Sequence, residues 1–373
     1  MRSSRSLRRF LAIAVTAPTM VGATRVGPGP RLLEKPQVEL PEPFTNVAAI
    51  RELRDGRALV VDNGDRALYV VDFAAGTSTQ VGRPGSGPAE YRSPGILLPI
   101  AGDTTLLTDP GNNRLLVIGP NAQPVRELTD AWPFLNGQRG TRLPRAIDGR
   151  GRGYFMGTPV RSPEMGPPVK QIDSVPLYRT PRGSPTVDSV AYVHLAPRRI
   201  TTTTKDGKIT SVDVFTPPFP AQDGWQVFAD GAVAIVRVRD YRVDWLLPDG
   251  RHVAGRPIPF DPVKVTDRDK RLAPSARSGG GAAQSMPALD WPEVKPPFAF
   301  NAVLAGADDR LWVLRHTPAT DARTHYDVID RRGVIVARVA VPNAGRIVGF
   351  GATSIYVVRK DADDLQYLQR FPL

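Results

Sequence analysis

The chain has 373 residues, 49 Lys and Arg against 37 Asp and Glu, a formal net charge of +12 and no cysteine. It is long enough to bury a sizeable core, and the missing thiols exclude a disulfide framework, a thiolate metal centre, a cysteine nucleophile and lipidation at a cysteine. The positive charge is almost all arginine, spread along the chain without helix-turn-helix, zinc-finger or RNA-recognition patterns, so no nucleic-acid partner is expected.

Residues 1–23 read as a secretory signal peptide. Arg2, Arg5, Arg8 and Arg9 form a basic head, an apolar run starts at Phe10, and Val21-Gly22-Ala23 offers small residues for cleavage. Thr16, Pro18 and Thr19 interrupt that run well short of the ~20 apolar residues that cross a bilayer, so no membrane span is expected. The mature part, 24–373, is expected to be a single domain, monomeric, periplasmic or secreted, by the general secretory or the twin-arginine route. Removing the four arginines from +12 leaves it at +8.

Next comes LLEKPQVEL, 32–40, a strand without a hairpin partner of its own. The first repeated unit follows, ALVVDNGDRALYVVD at 58–72, and it aligns with TLLTDPGNNRLLVIG at 105–119: Leu59 with Leu106, Asp62 with Asp109, Gly64 with Gly111, Leu68 with Leu115, Val70 with Val117. The 47-residue offset between Asp62 and Asp109 suits four short strands and their turns. Asp62 and Asp109 are expected to hydrogen-bond backbone amides two residues on, as turn residues do.

Between the two units lies GRPGSGPAEY, 82–91, whose glycine spacing invites a phosphate-loop reading. A phosphate loop needs a helix behind it, so that amide N–H groups meet the anion, and a Gly-Lys-Ser/Thr. Here Arg92-Ser93-Pro94-Gly95 and the apolar run ILLPI follow instead, so the stretch reads as a crossing between successive sheets, and a role for Glu90, Tyr91 or Arg92 as contacts at the mouth of a central channel stays open.

Later units keep the same grammar at 145–193, 225–258, 301–341 and 346–371. Two insertions break the rhythm: a Pro-rich one at 159–174 and a longer one at about 261–298. The second opens with a short helix, passes Gly279-Gly280-Gly281 and ends in Trp291 and Phe298, either as a tolerated insertion or as a flexible arm with exposed aromatics. The sixth unit ends after three strands, leaving an open edge that 32–40 can fill. The expected fold is therefore all-β: a six-bladed β-propeller of four-stranded antiparallel blades, closed by an N-terminal strand that completes the last blade.

LLTDPGNNRLLVIGPNAQPV resembles the NHL-type propeller repeat, with Asp109, Gly111, Asn112, Asn113 and Arg114 at the turn. VGRPGSGPAEYRSP is similar to the connector of bacterial secreted six-bladed propellers. The match covers about 58–128; the first unit departs from it with Asp65-Arg66-Ala67. The resemblance implies a scaffold that carries many unrelated functions.

In such a scaffold ligands approach the channel mouth, where the first strand of each blade begins. The residues expected there are Asn46, Arg92 (or Ser93), Arg145, Asp223, Trp225, Asn301 and Arg346 (or Asn343). Their arginines and amides point to a binding or scaffolding module for an anionic small molecule, a glycan or a partner protein, with no cofactor and no assigned catalytic residue. The alternative is a metal-dependent hydrolase, lactonase or lyase, with calcium held by oxygens of Asn46, Asp223 and Asn301; Arg145 and Arg346 would repel that ion. His194, His252, His316 and His325 are too few and too scattered for a zinc lyase, and His316 and His325 are expected as solvated loop residues. Serine catalysis lacks a Gly-x-Ser-x-Gly elbow. The Asp308-Asp309 and Asp361–Asp364 clusters read as hairpin tips.

Overall fold

The structure is a computed structural model that describes residues 30–129, 131–132, 142–157, 172–205, 208–272 and 290–373, with backbone only for 199–214. The proposed signal peptide and nearly all of the Pro-rich insertion lie outside the described residues. Among the described residues no helix is long and apolar enough to cross a membrane.

Six antiparallel blades form the ring, each with its first strand innermost. Those inner strands are Val47–Glu52, Leu97–Ile100, Ala146–Ile147, Gly224–Val227, Phe298–Ala305 and Arg346–Phe350. Blade one continues through Ala58–Asp62, Ala67–Asp72 and Thr77–Val81, and blade two through Thr104–Asp109, Arg114–Ile118 and Pro124–Leu128. The two units aligned by sequence thus become the second and third strands of adjacent blades, and Asp62 and Asp109 sit at the same hairpin in each.

The apolar pattern has a simple cause. Side chains alternate across a strand, and in a radial array both faces of a blade meet a neighbour. In the strand Ala58–Asp62, Ala58 and Val60 point into the core shared with blade six, while Leu59 and Val61 point into the core shared with blade two. A strand buried on both faces reads as a continuous apolar run. The described core accordingly divides into six clusters, one between each pair of successive blades.

Closure occurs where expected. Blade six contributes Arg346–Phe350, Ser354–Lys360 and Gln366–Pro372, and Val38–Glu39 pairs antiparallel with the last of these as its fourth strand. Backbone N–H groups of Gln37, Leu40 and Phe44 donate to the carbonyls of Arg370, Leu368 and Gln366 at 2.7, 3.0 and 2.7 Å. Glu39 accepts from Arg359 through both oxygens, so its carboxyl is held below the usual range, chiefly by that hydrogen-bonded arginine. Arg31–Leu32 goes further than the sequence reading: it adds a fifth strand, parallel, to the outer edge of blade five.

The 82–91 stretch is a crossing, and its polarity is the reverse of a phosphate loop. Its carbonyls converge on a cation: the Arg114 guanidinium donates to the carbonyls of Ser86, Gly87 and Glu90 at 3.2, 3.0 and 2.8 Å. Arg114 is buried and pairs with Glu127 at 2.5 Å and, more loosely, with Asp109 at 3.5 Å. A Cβ at Gly85, where φ is +155°, would lie 2.1 Å from Glu90 Oε2. Tyr91 is buried and donates its hydroxyl to the Val81 carbonyl at 2.9 Å, and Glu90 accepts from Gly87 N–H and pairs with Arg83. Both side chains serve the crossing itself.

Between blades three and four the chain makes an additional hairpin, Arg199–Lys205 with Lys208–Phe215. In the sequence, Asp206-Gly207 between two Thr- and Val-bearing runs is a tight-turn signal.

Candidate functional site at the channel mouth

The mouth is built by the segments that lead into the inner strands. Arg145 stands just before the short inner strand of blade three, fixed by its N–H donating to the Tyr154 carbonyl at 2.9 Å. Asp223 leads into the inner strand of blade four. In blade five the inner strand slips register between Phe298 and Val303, and Asn301 at that bulge takes φ +56°, a left-handed conformation asparagine tolerates better than most residues. Such bulges re-aim side chains, and here Phe300 and Asn301 are presented to the mouth.

These elements enclose a cavity of about 270 Å³. Arg145, Asp223, Trp225 and Asn301 line it together. The other three expected residues stand outside it. Arg346 donates to the Val47 carbonyl at 2.8 Å, joining the inner strands of blades six and one; its side chain keeps exposed surface, and partial desolvation lowers its pKa. Asn46 contacts Gln366 in blade six. Arg92 lies against Gly111, where a Cβ would approach its own Cβ to 2.8 Å, and reaches Ser86; it faces the outer hairpin.

Within the cavity the charges are unequal in availability. Asp223 is 5% exposed and already engaged: Oδ1 accepts from Val238 N–H at 2.9 Å, and Oδ2 from His194 N–H at 3.0 Å and Arg237 Nη1 at 2.9 Å. It bolts the end of blade three to blade four. Arg145 is exposed, and its guanidinium makes no hydrogen bond or ion pair among the described residues. Residues missed by the sequence reading complete the wall: Arg198 and Gln222, the two ends of the excursion that carries the extra hairpin, with Gln226, Met156, Ile96 and Phe300. Phe300 is 37% exposed. Gln222 adjoins Asp223 in sequence and was within reach of the reading; the bulge that turns Phe300 inward had no signal. Gly224 matters sterically, since a Cβ there would lie 2.4 Å from Val303 Cγ2 on the next inner strand. The wall therefore combines aromatic and aliphatic surface with amides and guanidinium groups of Arg145 and Arg198. Among the described residues no three His, Asp or Glu side chains converge as a cation's ligand set.

Two expectations need correction. His316 is not a solvated loop residue: it packs edge-on against Phe219 with ring centroids 5.2 Å apart, and burial, then the nearby Lys295 ammonium, lowers its pKa to about 4. His325 bonds Asp321 at 2.9 Å. The end of the 261–298 insertion is not an arm of exposed aromatics either. Trp291 packs on Phe219, Phe298 is 2% exposed, and Lys295 pairs with Asp269 at 2.6 Å, both 5% exposed. Asp269 belongs to the expected short helix, Asp267–Leu272, so this ion pair ties both ends of the insertion to each other.

No protein-family model and no curated protein matches the chain. Among solved structures the chain is similar to a streptogramin B lyase, at 12% identity over 90% of this chain and 86% of that one with a TM-score of 0.37. It is also similar to a member of the DUF4221 family from Bacteroides vulgatus, at 8% over 90% and 97% with a TM-score of 0.47, and to the calcium-binding protein regucalcin from Agrobacterium tumefaciens, at 13% over 92% and 95% with a TM-score of 0.38.

Proposed function

We propose that the protein is an exported, monomeric propeller, periplasmic or secreted, that binds a small organic anion at the channel mouth. The observation that carries this reading is Arg145: an exposed guanidinium without a partner among the described residues, on the wall of a cavity that also offers Trp225 and Phe300. A guanidinium beside apolar surface suits a carboxylate or similar oxyanion joined to an apolar body, and Gln222, Gln226 and Asn301 add amide donors that orient it. Asp223 supports the wall and does not meet the ligand's charge. The Asp, Gly and Arg of the 109–114 turn support kinship with NHL-like secreted propellers. Under this reading the domain spans 24–373.

The test is calorimetric titration of aromatic and aliphatic carboxylates into the purified protein, with Arg145→Glu as the variant. Binding abolished by charge reversal supports the proposal; unchanged binding refutes it. Metal analysis of the same sample separates the enzymatic alternative, for stoichiometric calcium or zinc would favour a metal-dependent hydrolase or lyase.

A further inference from the structure

A second and larger cavity, about 750 Å³, lies between the start of the insertion and the hairpin loop that follows the second strand of blade five. It shares no lining residue with the mouth cavity. One wall is residues 261–268 of the insertion; the other runs from Arg315 to Asp321, with His325 at the edge.

Three features give this groove a character of its own. Its floor is rigid: the Lys295–Asp269 pair is buried, Lys295 Nζ also donates to the Thr317 carbonyl at 2.7 Å, and Thr266 donates to Asp269 Oδ2 through both its N–H and its hydroxyl. Its charge is positive. Lys264 and Arg268 are exposed on its wall and make no side-chain hydrogen bond or ion pair among the described residues. Arg315 shares a single buried carboxylate, Asp327, with Arg338, so that trio is left with one positive charge in excess. Against these stand Asp261, and Asp321, which Arg323 and His325 already engage. Finally, Pro262, Val263 and Pro318 give the cavity apolar surface, and the volume falls in the range of small-molecule sites, about 300–1,000 Å³.

We propose that this groove is a second ligand site, one that takes an organic oxyanion through Lys264 and Arg268 and seats its apolar part against Pro262, Val263 and Pro318. The two cations, Pro262 and Val263 sit on the insertion and Pro318 on the blade-five loop, so an occupant that touches them all bridges the two. His316, kept neutral beside Lys295, adds no charge of its own to the floor. A phosphate ester and a carboxylate share the required head group, and the experiment distinguishes them.

The probes are phenyl phosphate, phenylacetate and, as a neutral control, benzyl alcohol, titrated into the full chain and followed by calorimetry and by the imidazole NMR signals of His325. The expected result is saturable binding of at least one of the two anions in the millimolar range or tighter, with a shift of the His325 signals and none from benzyl alcohol. The double variant Lys264→Glu with Arg268→Glu should weaken that binding about tenfold or more, because like charges then face the oxyanion. Arg145→Glu should leave the His325 shift intact, which keeps this site's outcome separate from that of the mouth. Both reversed side chains are exposed, so the variant's melting temperature should match the parent's. Phenyl phosphate alone binding assigns a phosphate-selective groove, phenylacetate alone a carboxylate-selective one. Failure of both anions to shift the His325 signals, or a His325 shift that survives the double reversal, would overturn the proposal.

Discussion

The closing strand is the most exacting test of the ring. Leu40 is 1% exposed and Phe44 4%, and both insert into the core shared by blades six and one, beside Val60, Tyr356 and Leu368. Truncating a buried leucine to alanine costs about 2–5 kcal/mol and a buried phenylalanine about 3–5 kcal/mol, from lost transfer energy and the cavity left behind. The two share one cluster and need not add strictly, yet together they approach the about 5–15 kcal/mol that holds a domain folded. Leu40→Ala with Phe44→Ala should therefore unseat 38–44, uncover the edge of blade six and promote aggregation. Leu32→Ala is the internal control: it is 45% exposed on the added fifth strand and should change stability by about 0.5 kcal/mol or less. Urea denaturation followed by tryptophan fluorescence reads all three, since Trp132, Trp245 and Trp312 sit in the cores between blades two and three, four and five, and five and six. If the double variant unfolds at the parent's midpoint, or no earlier than Leu32→Ala, the N-terminal segment does not close the ring.

Further outcomes follow from the same structure. Arg114→Met should destabilise by about 3–5 kcal/mol, because it strips the crossing's carbonyls of their donor and leaves Asp109 buried without its cation; equilibrium denaturation of the variant against the parent measures it. Asp62→Ala removes the acceptor for the N–H groups of Thr45, Asn46, Gly64 and Asp65. The expected loss is about 1–3 kcal/mol or more, and hydrogen exchange should show it first at those amides. His316, with its folded pKa lowered from 6.5 to about 4, contributes stability that is present above pH 6.5 and is lost as pH falls toward 4. His316→Gln should flatten that part of the stability profile, and parallel profiles for the two proteins would contradict the assignment. Gly224→Val should collide with Val303, lowering both stability and ligand affinity at the mouth in the same titration.

The fold was legible because its cause is local and repeated. Asp62 and Asp109, Gly64 and Gly111, and the apolar runs beside them state a hairpin and a doubly buried strand twice over at a fixed interval, and 32–40, a strand without a hairpin partner of its own, fits the open edge of a three-stranded last unit. The glycine stretch at 82–91 was legible in part. The missing helix ruled out a phosphate loop from sequence, but its true partner, Arg114, lies two strands further on and becomes visible only when the crossing folds back over blade two. The candidate site divides in the same way. That Arg145, Asp223 and Trp225 precede or open inner strands could be counted along the chain, whereas Asn301 lies inside its strand, at the bulge. That they share one cavity while Asn46, Arg92 and Arg346 turn to other partners is set by side-chain direction and by a one-strand bulge, which no local pattern encodes. Length, composition and period determined the ring by themselves, since each blade's strands are buried by their immediate neighbours. Only the tertiary structure decided which charges remain unpaired, because pairing depends on approaches such as Lys295 to Asp269 and Arg315 to Asp327 that the three-dimensional packing alone creates.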